Sequence, residues 1–316
     1  MKYVLAPLAD FTDAPFRRLC FEAGADMAYT EMVSAAALFH GHRPTRHLME
    51  TMPGEGPVAC QLFGADEREI AFAARAADAL LDDCGGPRFC ELNLNAGCPM
   101  PRIMATGSGA ALVTDPEKVY RLLKAMAENT SLPVTLKTRL GPHRATPTIF
   151  ELLDAAESAG AKGIVVHARS VGQKHGGPTD LVLLGEVVRR ARIPVTGNGS
   201  VRDVESARAM EATGVAAVMV GRTALSDPGV FAKLKALPAP AVPWAERHID
   251  LLLEFRRRLA EKFPEDRLQP EDDYVSAKMR THIFRYFKGV PGASALRARI
   301  HAVKTLAEAR AVVAEH

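Results

Sequence analysis

The sequence predicts an α/β fold in which an eight-stranded (β/α)8 barrel, a TIM barrel, is followed by an all-helical bundle domain. Short apolar runs alternate with helical patterns from residue 2 to about residue 235. The runs are continuous rather than alternating, as in strands buried on both faces of a parallel sheet. A proline-rich stretch near residue 240 then precedes a tail that has helical patterns and no strand candidate. The main alternative is a doubly wound sheet, because periodicity does not distinguish the two folds.

Eight strand candidates set the order of the barrel. They are Tyr3–Ala6, Met27–Thr30, Val58–Leu62, Phe89–Leu94, Val134–Lys137, Gly163–His167, Pro194–Thr196 and Ala216–Val220. Helical patterns between them include Glu67–Leu81, Pro116–Glu128, Pro147–Ala159 and Arg202–Ala212. Asp115-Pro116 is a typical helix start, and Ser200 is a candidate cap for the helix at Arg202. Eight units in about 235 residues fit the length and strand count of a (β/α)8 barrel.

The predicted domain organisation has three parts. Residues 1–237 form the barrel, and residues 238–243 form a proline-rich linker. Residues 244–316 form a helical bundle, with helical patterns at roughly 244–262, 271–287, 293–301 and 303–314.

Composition places the chain among cytoplasmic globular proteins. Five cysteines without framework spacing indicate a reducing compartment, and no Cys/Cys or Cys/His pair has metal-ligand spacing, so no metal is expected. The N-terminus reaches Asp10 before a signal-peptide core could form. The longest uncharged stretch, Ile103 to Thr114, is too short to span a bilayer, so no membrane association is expected.

The net charge of +3 hides an uneven distribution. Residues 277–310 carry eight basic residues and one acidic residue, a net charge of +7 that leaves −4 for the rest of the chain. The basic residues are Lys278, Arg280, Arg285, Lys288, Arg297, Arg299, Lys304 and Arg310. Such a segment is either a solvated helix face or a nucleic-acid contact.

Polar residues follow most of the predicted strands, where a (β/α)8 enzyme carries its chemistry. The segments at the strand ends are Ala6-Pro7-Leu8, Gln61, Asn93-Leu94-Asn95-Ala96-Gly97-Cys98-Pro99, Lys137-Thr138-Arg139, His167-Ala168-Arg169, Gly197-Asn198-Gly199 and Gly221-Arg222. Stability alone does not require polar groups at so many strand ends. The sequence therefore predicts one site at the carboxyl end of the barrel.

The last two strands predict a phosphate site. In many barrels the loops after strands seven and eight bind phosphate together with the N-terminus of a following helix. Gly197, Gly199 and Gly221 would let backbone N–H groups approach an anion, and Arg222 would add a charged fork. The alternative is that these glycines only form tight corners.

Three further side chains are candidates for chemistry. Cys98, between Gly97 and Pro99, is either a small packed residue or a general acid, since a thiol with a pKa near ~8.5 is protonated at neutral pH. Lys137 either points into the mouth, towards an anionic or electron-accepting ring, or extends along the rim. His167 is either a donor in the mouth or a packed histidine.

Taken together, the motifs resemble the tRNA-dihydrouridine synthase family over nearly the whole chain. The segments that carry the resemblance are Ala6-Pro7-Leu8, Thr12-Asp13-Ala14-Pro15-Phe16-Arg17, Thr30-Glu31-Met32, Gln61, Asn95-Ala96-Gly97-Cys98-Pro99, Gly107-Ser108-Gly109-Ala110-Ala111-Leu112, Lys137-Thr138-Arg139-Leu140-Gly141, His167-Ala168-Arg169, Ile193-Pro194-Val195-Thr196-Gly197-Asn198-Gly199, Val218-Met219-Val220-Gly221-Arg222 and Tyr286-Phe287-Lys288-Gly289-Val290-Pro291-Gly292-Ala293. Leu8 replaces the usual methionine, Ala168 replaces a glycine, and Thr138 replaces an apolar residue. Residues 173–176 lack the tyrosine often found there, which leaves the position of the substrate open.

The resemblance implies an FMN enzyme that reduces the C5=C6 bond of uracil in tRNA with NADPH or NADH. Cys98 matches the family's proton donor, and Asn95 and Arg139 would hold the flipped base. The cofactor contacts implied are Ala6, Pro7, Leu8, Gln61, Lys137, His167, Asn198, Gly199, Ser200, Gly221 and Arg222. Lys278, Arg280, Arg285 and Lys288 in the helical tail would bind the tRNA backbone, which makes the tail a tRNA-binding domain. No protein partner is implied.

Two other functions remain open at this stage. One is an FMN barrel oxidoreductase of a free small molecule, similar to a dihydroorotate dehydrogenase, which would not need the basic tail. The other is an RNA-binding module that has lost catalysis. Cys98, Lys137 and the phosphate loops argue against that module, because binding alone does not require them.

Overall fold

The computed structural model describes residues 1–238, 243–287, 299 and 302–314. Its parallel sheet contains β1 (Lys2–Leu5), β2 (Met27–Tyr29), β3 (Val33–Ser34), β4 (Val58–Phe63), β5 (Glu91–Ala96), β6 (Val134–Arg139), β7 (Gly163–His167), β8 (Val195–Asn198) and β9 (Ala217–Val220). The strand order is β2-β1-β9-β8-β7-β6-β5-β4-β3, and β2 also pairs with β4. The sheet therefore closes through eight strands, which confirms the predicted (β/α)8 barrel and excludes the doubly wound alternative.

The strand β3 is a short continuation of β2 that the sequence analysis did not predict. Ala28 pairs with Val58, and Val33 pairs with Leu62, so this stretch of chain has one residue more than β4 opposite it. An extra residue in one strand forms a bulge, which interrupts pairing. The interruption places Glu31 and its neighbours at the carboxyl end of the barrel, next to the predicted site.

Helices surround the barrel. They are α1 (Ala14–Glu22), α2 (Ala35–Phe39), α3 (Glu67–Asp78), α4 (Pro101–Met104), α5 (Pro116–Ala127), α6 (Ile149–Ser158), α7 (Leu181–Arg190), α8 (Val204–Glu211), α9 (Arg222–Ser226) and α10 (Val230–Lys235). The predicted cap Asp115 accepts a hydrogen bond from the backbone N–H of Lys118 at 2.9 Å. The predicted cap Ser200 is wrong, because Asp203 caps α8 through a reciprocal bond with Ser206. Ser200 instead has a left-handed backbone, with φ 57°.

The barrel interior is apolar in part and polar in part. Its apolar cluster includes Val4, Tyr29, Val165 and Met219, whereas the larger core lies between the strands and the surrounding helices. This separation follows from geometry, since alternate residues of each strand point to opposite faces of the sheet. The remaining inward positions are free to carry polar side chains.

The C-terminal segment is helical in the part that the structure describes. It contains α11 (Trp244–Lys262), α12 (Glu271–Tyr286) and α13 (Leu306–Ala314), which share a core around Ile249, Met279 and Val312. Ion pairs join this segment to the barrel: Arg247 to Glu22, Lys262 to Glu50 and Arg258 to Asp83. Most of the predicted helix 293–301 and residues 239–242 of the predicted linker lie outside the described residues. The predicted domain boundaries therefore stay a prediction.

Candidate active site

Strand register gathers the predicted site residues at the carboxyl end of the barrel. Asn95 on β5 is paired with Lys137 on β6, and Arg139 is paired with His167 on β7. His167 is paired in turn with Asn198 on β8. Because neighbouring strands lie about 4.8 Å apart, residues that are distant in the sequence become neighbours around one opening. We call this opening the mouth.

Hydrogen bonds to both the backbone N–H and the backbone carbonyl of Cys98 fix the loop that carries it. Asn95 Oδ1 accepts the backbone N–H groups of Gly97 at 3.1 Å and Cys98 at 3.0 Å. The N–H of Ala110 donates to the carbonyl of Cys98 at 2.9 Å. Gly109, with φ +60°, allows that approach, since a Cβ there would lie 2.8 Å from the same carbonyl oxygen. The Cys98 thiol is thus held at the mouth, and Cys98 is partly exposed.

Lys137 is a half-buried lysine at the mouth. Its Nζ lies 3.3 Å from Asn198 Oδ1, and Asn198 Nδ2 donates to the carbonyl of Met219 at 2.9 Å. Burial, together with the nearby Arg139 guanidinium, lowers the pKa of Lys137 to about 7. An anionic ligand in the mouth would stabilise the ammonium form.

Arg139 connects the Cys98 loop to the loop after β7. Its Nε donates to the carbonyl of Gly97 at 2.7 Å. Its Nη1 donates to the carbonyls of Ser170 at 3.1 Å and Lys174 at 2.7 Å. The family resemblance implies that Arg139 binds the flipped base, and its hydrogen bonds show that it also joins the two loops that border the mouth.

Arg169 is a functional candidate that the sequence analysis named only as part of a motif. It donates to the carbonyl of Gly177 at 2.7 Å and to Ser200 Oγ at 2.5 Å. Its Nη1 lies 3.3 Å from His167 Nε2. Burial and the surrounding cations keep the pKa of His167 well below its usual value, so that ring is neutral at pH 7. The only signal in the sequence was a basic residue two positions after His167.

The three glycines predicted to form the phosphate site differ in why the structure needs a glycine there. A Cβ at Gly197 would lie 2.6 Å from Met210 Sδ, so this glycine allows α8 to pack on β8. Gly199 has φ +126°, and a Cβ there would lie 2.8 Å from Thr179 Cγ2. At Gly221 a Cβ would meet Ala6 Cβ at 3.7 Å, an ordinary contact. Of the three, Gly199 is the one that needs its unusual backbone at the mouth.

The remaining predicted cofactor residues lie on the first barrel strands. Ala6 donates its N–H to the carbonyl of Val220 at 2.8 Å, which extends the β1–β9 pairing towards Gly221. Pro7 and Leu8 follow, and the N–H of Leu8 donates to Thr12 Oγ1 at 3.0 Å. Gln61 is fully buried within β4.

Positive charge from the barrel and from α12 meets at one side of the mouth. Arg222 Nη2 lies 3.4 Å from the carbonyl of His175. Arg285 on α12 lies over the Phe11 ring, with its guanidinium carbon 4.4 Å from the ring centre. The helix α12 packs against α9, which begins at Arg222. Burial lowers the pKa of Arg285, and the charge of Arg222 lowers it further.

The other basic residues assigned to RNA are placed differently. Lys278 Nζ lies 2.9 Å from Asp13 Oδ2, an ion pair between α12 and the start of α1. Arg280 Nη1 donates to the carbonyl of Val303 at 2.7 Å. Lys288 lies outside the described residues. The RNA role of all four residues stays a prediction, and Arg285 is the one that the structure places beside the mouth.

The described part of the chain contains neither a metal-binding cluster nor a membrane-spanning helix. No group of three or more His, Cys, Asp or Glu residues is arranged there to hold a metal ion. Within the same residues, no helix has the length and apolar character needed to cross a membrane.

Comparisons with known proteins agree with the motifs. A family model described as "Dihydrouridine synthase (Dus)" matches residues 4–316. A "Probable tRNA-dihydrouridine synthase" of Mycobacterium tuberculosis is 33% identical over 323 residues, covering 96% of this chain and 79% of that protein. A "Probable tRNA-dihydrouridine synthase" of Treponema pallidum is 36% identical, covering 73% of this chain and 69% of that protein. A "tRNA-dihydrouridine synthase B" of Xanthomonas axonopodis pv. citri is 30% identical, covering 96% and 89%.

Among solved structures, a FabK mutant from Thermotoga maritima is 15% identical, covering 72% of this chain and 63% of that chain, with a TM-score of 0.43. A likeness this weak does not identify the fold, which is established by the strand order. The family model and the relatives cover most of the chain and agree with one another. The chain therefore belongs to the dihydrouridine synthase family.

Proposed function

We propose that this protein is a flavin-dependent enzyme that reduces the C5=C6 bond of specific uridines in tRNA to 5,6-dihydrouridine. The observation that carries the proposal is the position of Cys98, on a loop fixed by Asn95 and Arg139 at a cation-lined barrel mouth. Family membership supports the substrate, since the relatives are named tRNA-dihydrouridine synthases.

The mouth fits an anionic cofactor such as FMN. Burial lowers the pKa of Lys137, and the Arg139 guanidinium lies close enough to lower it further. Arg169 and Arg222 add further positive charge, so a phosphate-bearing ligand would relieve repulsion among these groups. The contacts we propose are backbone groups of Ala6, Pro7 and Leu8 against the ring, Gln61 and Lys137 at its polar edge, and His167, Asn198, Gly199, Ser200, Gly221 and Arg222 around the ribityl chain and phosphate.

FMN, when bound and reduced by NADPH or NADH, supplies the hydride that reaches C6 of uracil. The protein supplies orientation and one acid. The Cys98 thiol donates its proton to C5 as a general acid, on the loop that Asn95 and Arg139 hold in place. A uridine stacked in folded RNA must be flipped into the mouth, where Arg139 and Asn95 are placed to meet it.

The second candidate function is an FMN barrel oxidoreductase of a free small molecule. It would use the same mouth, but it would not need a helical segment that carries positive charge to that mouth. Arg285 on α12, beside Arg222 on the barrel, favours an extended anionic substrate. The tRNA substrate is therefore the better-supported of the two.

The test is reconstitution with defined components. Purified protein loaded with FMN is incubated with NADPH or NADH and unmodified tRNA transcripts, and dihydrouridine is mapped in the product. We expect bound flavin absorbance and dihydrouridine at a small number of positions. Protein that cannot be loaded with FMN would contradict both enzyme functions. Flavin reduction without any dihydrouridine would favour the free small molecule as substrate.

Replacing Arg285 should weaken tRNA binding and reduce its dependence on salt. Each phosphate contact that is lost reduces the slope of log affinity against log salt by roughly one. We therefore expect Arg285→Ala to show a salt slope smaller by about one than wild type, measured by fluorescence anisotropy with labelled tRNA.

Arg121→Ala is the matched control, because this exposed arginine on α5 pairs with Glu67 and Glu117 on the outside of the barrel. Its removal should leave the salt slope unchanged. An unchanged slope in Arg285→Ala, or an equal change in both variants, would place the RNA elsewhere on the surface.

A further inference from the structure

Hydrogen bonds between side chains run through the barrel interior to the Cys98 loop. Asn95 Nδ2 donates to Gln61 Oε1, and Gln61 Nε2 donates to Asn93 Oδ1, each at 2.8 Å. Asn93 Nδ2 then donates to Thr135 Oγ1, and Thr135 Oγ1 donates to Glu91 Oε1, again at 2.8 Å. We call these five residues the polar chain. Its last acceptor, Glu91, is the first residue of β5, at the opposite end of the barrel from Cys98.

The polar chain follows the inner face of the sheet. Glu91, Asn93 and Asn95 are alternate residues of β5, so their side chains share one face, and Glu91 lies roughly 13 Å along the strand from Asn95. Gln61 and Asn93 are fully buried, and Asn95 and Thr135 are 5% exposed. Buried polar groups this far from water depend on one another for their hydrogen bonds.

Each donor in the polar chain points towards Glu91, and the backbone N–H groups at the mouth require that direction. At the mouth, the backbone N–H groups of Gly97 and Cys98 can only donate, so Asn95 must present its oxygen to them and its nitrogen to Gln61. At the other end, Glu91 Oε1 accepts the hydroxyls of Tyr29 and Thr135, both at 2.8 Å. Because Thr135 donates its own proton to Glu91, the Thr135 oxygen remains available to accept from Asn93.

The hydrogen bonds of Asn95 also limit what it can offer a substrate. Its Oδ1 is taken by two backbone N–H groups, and one Nδ2 proton is taken by Gln61. The remaining Nδ2 contact is Met32 Sδ at 2.9 Å, and a thioether is a weak acceptor. Asn95 can thus turn one N–H to a base while its oxygen keeps holding the Cys98 loop.

We propose that Thr135 and Glu91 are positioning residues for Cys98, which they fix through Asn93, Gln61 and Asn95. The catalytic consequence rests on the proposed function, whereas the positioning of the thiol does not. Without the Thr135 hydroxyl, Asn93 Nδ2 loses its acceptor, so the Asn93 amide is held less firmly. The Gln61 amide, which bonds to Asn93, and the Asn95 amide, which bonds to Gln61, are in turn held less firmly. The Cys98 loop then samples other positions.

The variant to test is Thr135→Val, which removes the hydroxyl and keeps the shape. Thr135→Ser restores the hydroxyl, and Thr135→Ala leaves space in which a water could replace it. Thr196→Val is the matched control, because Thr196 on β8 lines the same cavity of about 200 Å³ at the amino end of the barrel and lies outside the polar chain.

The direct readout is the rate at which iodoacetamide alkylates Cys98, resolved by peptide mass spectrometry. The exposed Cys84 in the same molecule is the internal reference. Losing one buried hydrogen bond corresponds to a change of about three- to tenfold. We expect Thr135→Val to raise the Cys98 rate relative to Cys84 by that factor. Thr135→Ser and Thr196→Val should match wild type, and Thr135→Ala should lie between.

Turnover is the second readout. With FMN content and melting temperature unchanged, Thr135→Val should lower kcat for dihydrouridine formation by about the same factor, leave KM for tRNA unchanged, and be rescued in Thr135→Ser. An unchanged Cys98 rate in Thr135→Val would overturn the proposal. So would a loss of turnover that only follows a loss of flavin or of stability. If wild type forms no dihydrouridine but Thr135→Val still raises the Cys98 rate, the positioning stands and the proposed function fails.

Discussion

Cys98→Ala should lose dihydrouridine formation by a factor of about 10² to 10⁴, the usual contribution of a positioned general acid. The structure holds the Cys98 loop by backbone hydrogen bonds, in which the side chain takes no part, so an alanine leaves the loop in place. FMN content, flavin reduction by NADPH and tRNA affinity should therefore stay at wild-type values. Single-turnover measurement of dihydrouridine with pre-reduced enzyme isolates the affected step.

Two further cysteine variants make this prediction specific. Cys84→Ala removes an exposed thiol that precedes β5, at the opposite end of that strand from the mouth loop, and should behave as wild type. Cys98→Ser places a much weaker acid on the same loop, so its rate should be close to that of Cys98→Ala. Full turnover in Cys98→Ala would remove the acid role from this residue and leave another group, or water, as the proton source.

Arg17→Met should lower the free energy of unfolding by about 3–5 kcal/mol, the cost of leaving one partner of a buried ion pair alone. Arg17 Nε lies 2.8 Å from Glu55 Oε2, and the two side chains are 1% and 2% exposed. The guanidinium also donates to the carbonyls of Thr12 at 2.9 Å and Glu50 at 2.8 Å. One side chain thus ties α1 to the loop that precedes β4.

The neighbouring Arg18 is a matched control for this prediction. Arg18 pairs with Glu22 at 2.9 Å, but both side chains are about a quarter exposed. Exposed pairs contribute little, so Arg18→Met should cost less than about 1 kcal/mol. Urea denaturation followed by circular dichroism measures both variants. Equal and small losses would mean that Glu55 finds another partner or takes up a proton at little cost.

The barrel and its site could be predicted from the sequence because their signals are local. A strand buried on both faces leaves a continuous apolar run, and the polar residue after the run marks the end that faces the mouth. Gly163–His167 is observed with the predicted bounds, and the predicted Val134–Lys137 only extends to Arg139. The resemblance to the family rested on the same local motifs, and the comparisons confirm it.

Other features depend on contacts that have no local signal. The strand β3 is separate from β2 because one extra residue interrupts the pairing of this stretch of chain with β4. The apolar pattern does not record that interruption. Ser200 has the composition of a helix cap, yet Asp203 makes the cap, because the chain at Ser200 turns through a left-handed conformation instead.

The net positive charge of the C-terminal segment did not predict which groups its basic residues contact. The sequence placed Lys278, Arg280 and Arg285 in one basic segment and assigned all three to RNA. The structure puts Lys278 against Asp13 and Arg280 against a backbone carbonyl, and places Arg285 beside the mouth. A net charge counts residues, whereas the partner of each one depends on how α12 packs on the barrel.

The sequence by itself determined the fold class, and it predicted most of the residues that the structure gathers at the carboxyl end of the barrel. These follow from strand periodicity and from short motifs, which belong to neighbouring residues. Only the tertiary structure decided which hydrogen bonds link Arg169, Thr135 and Glu91 to the residues of the candidate site, since their partners lie on other strands or loops. Strand register and barrel closure bring those residues together, and neither can be read from the order of side chains along one segment.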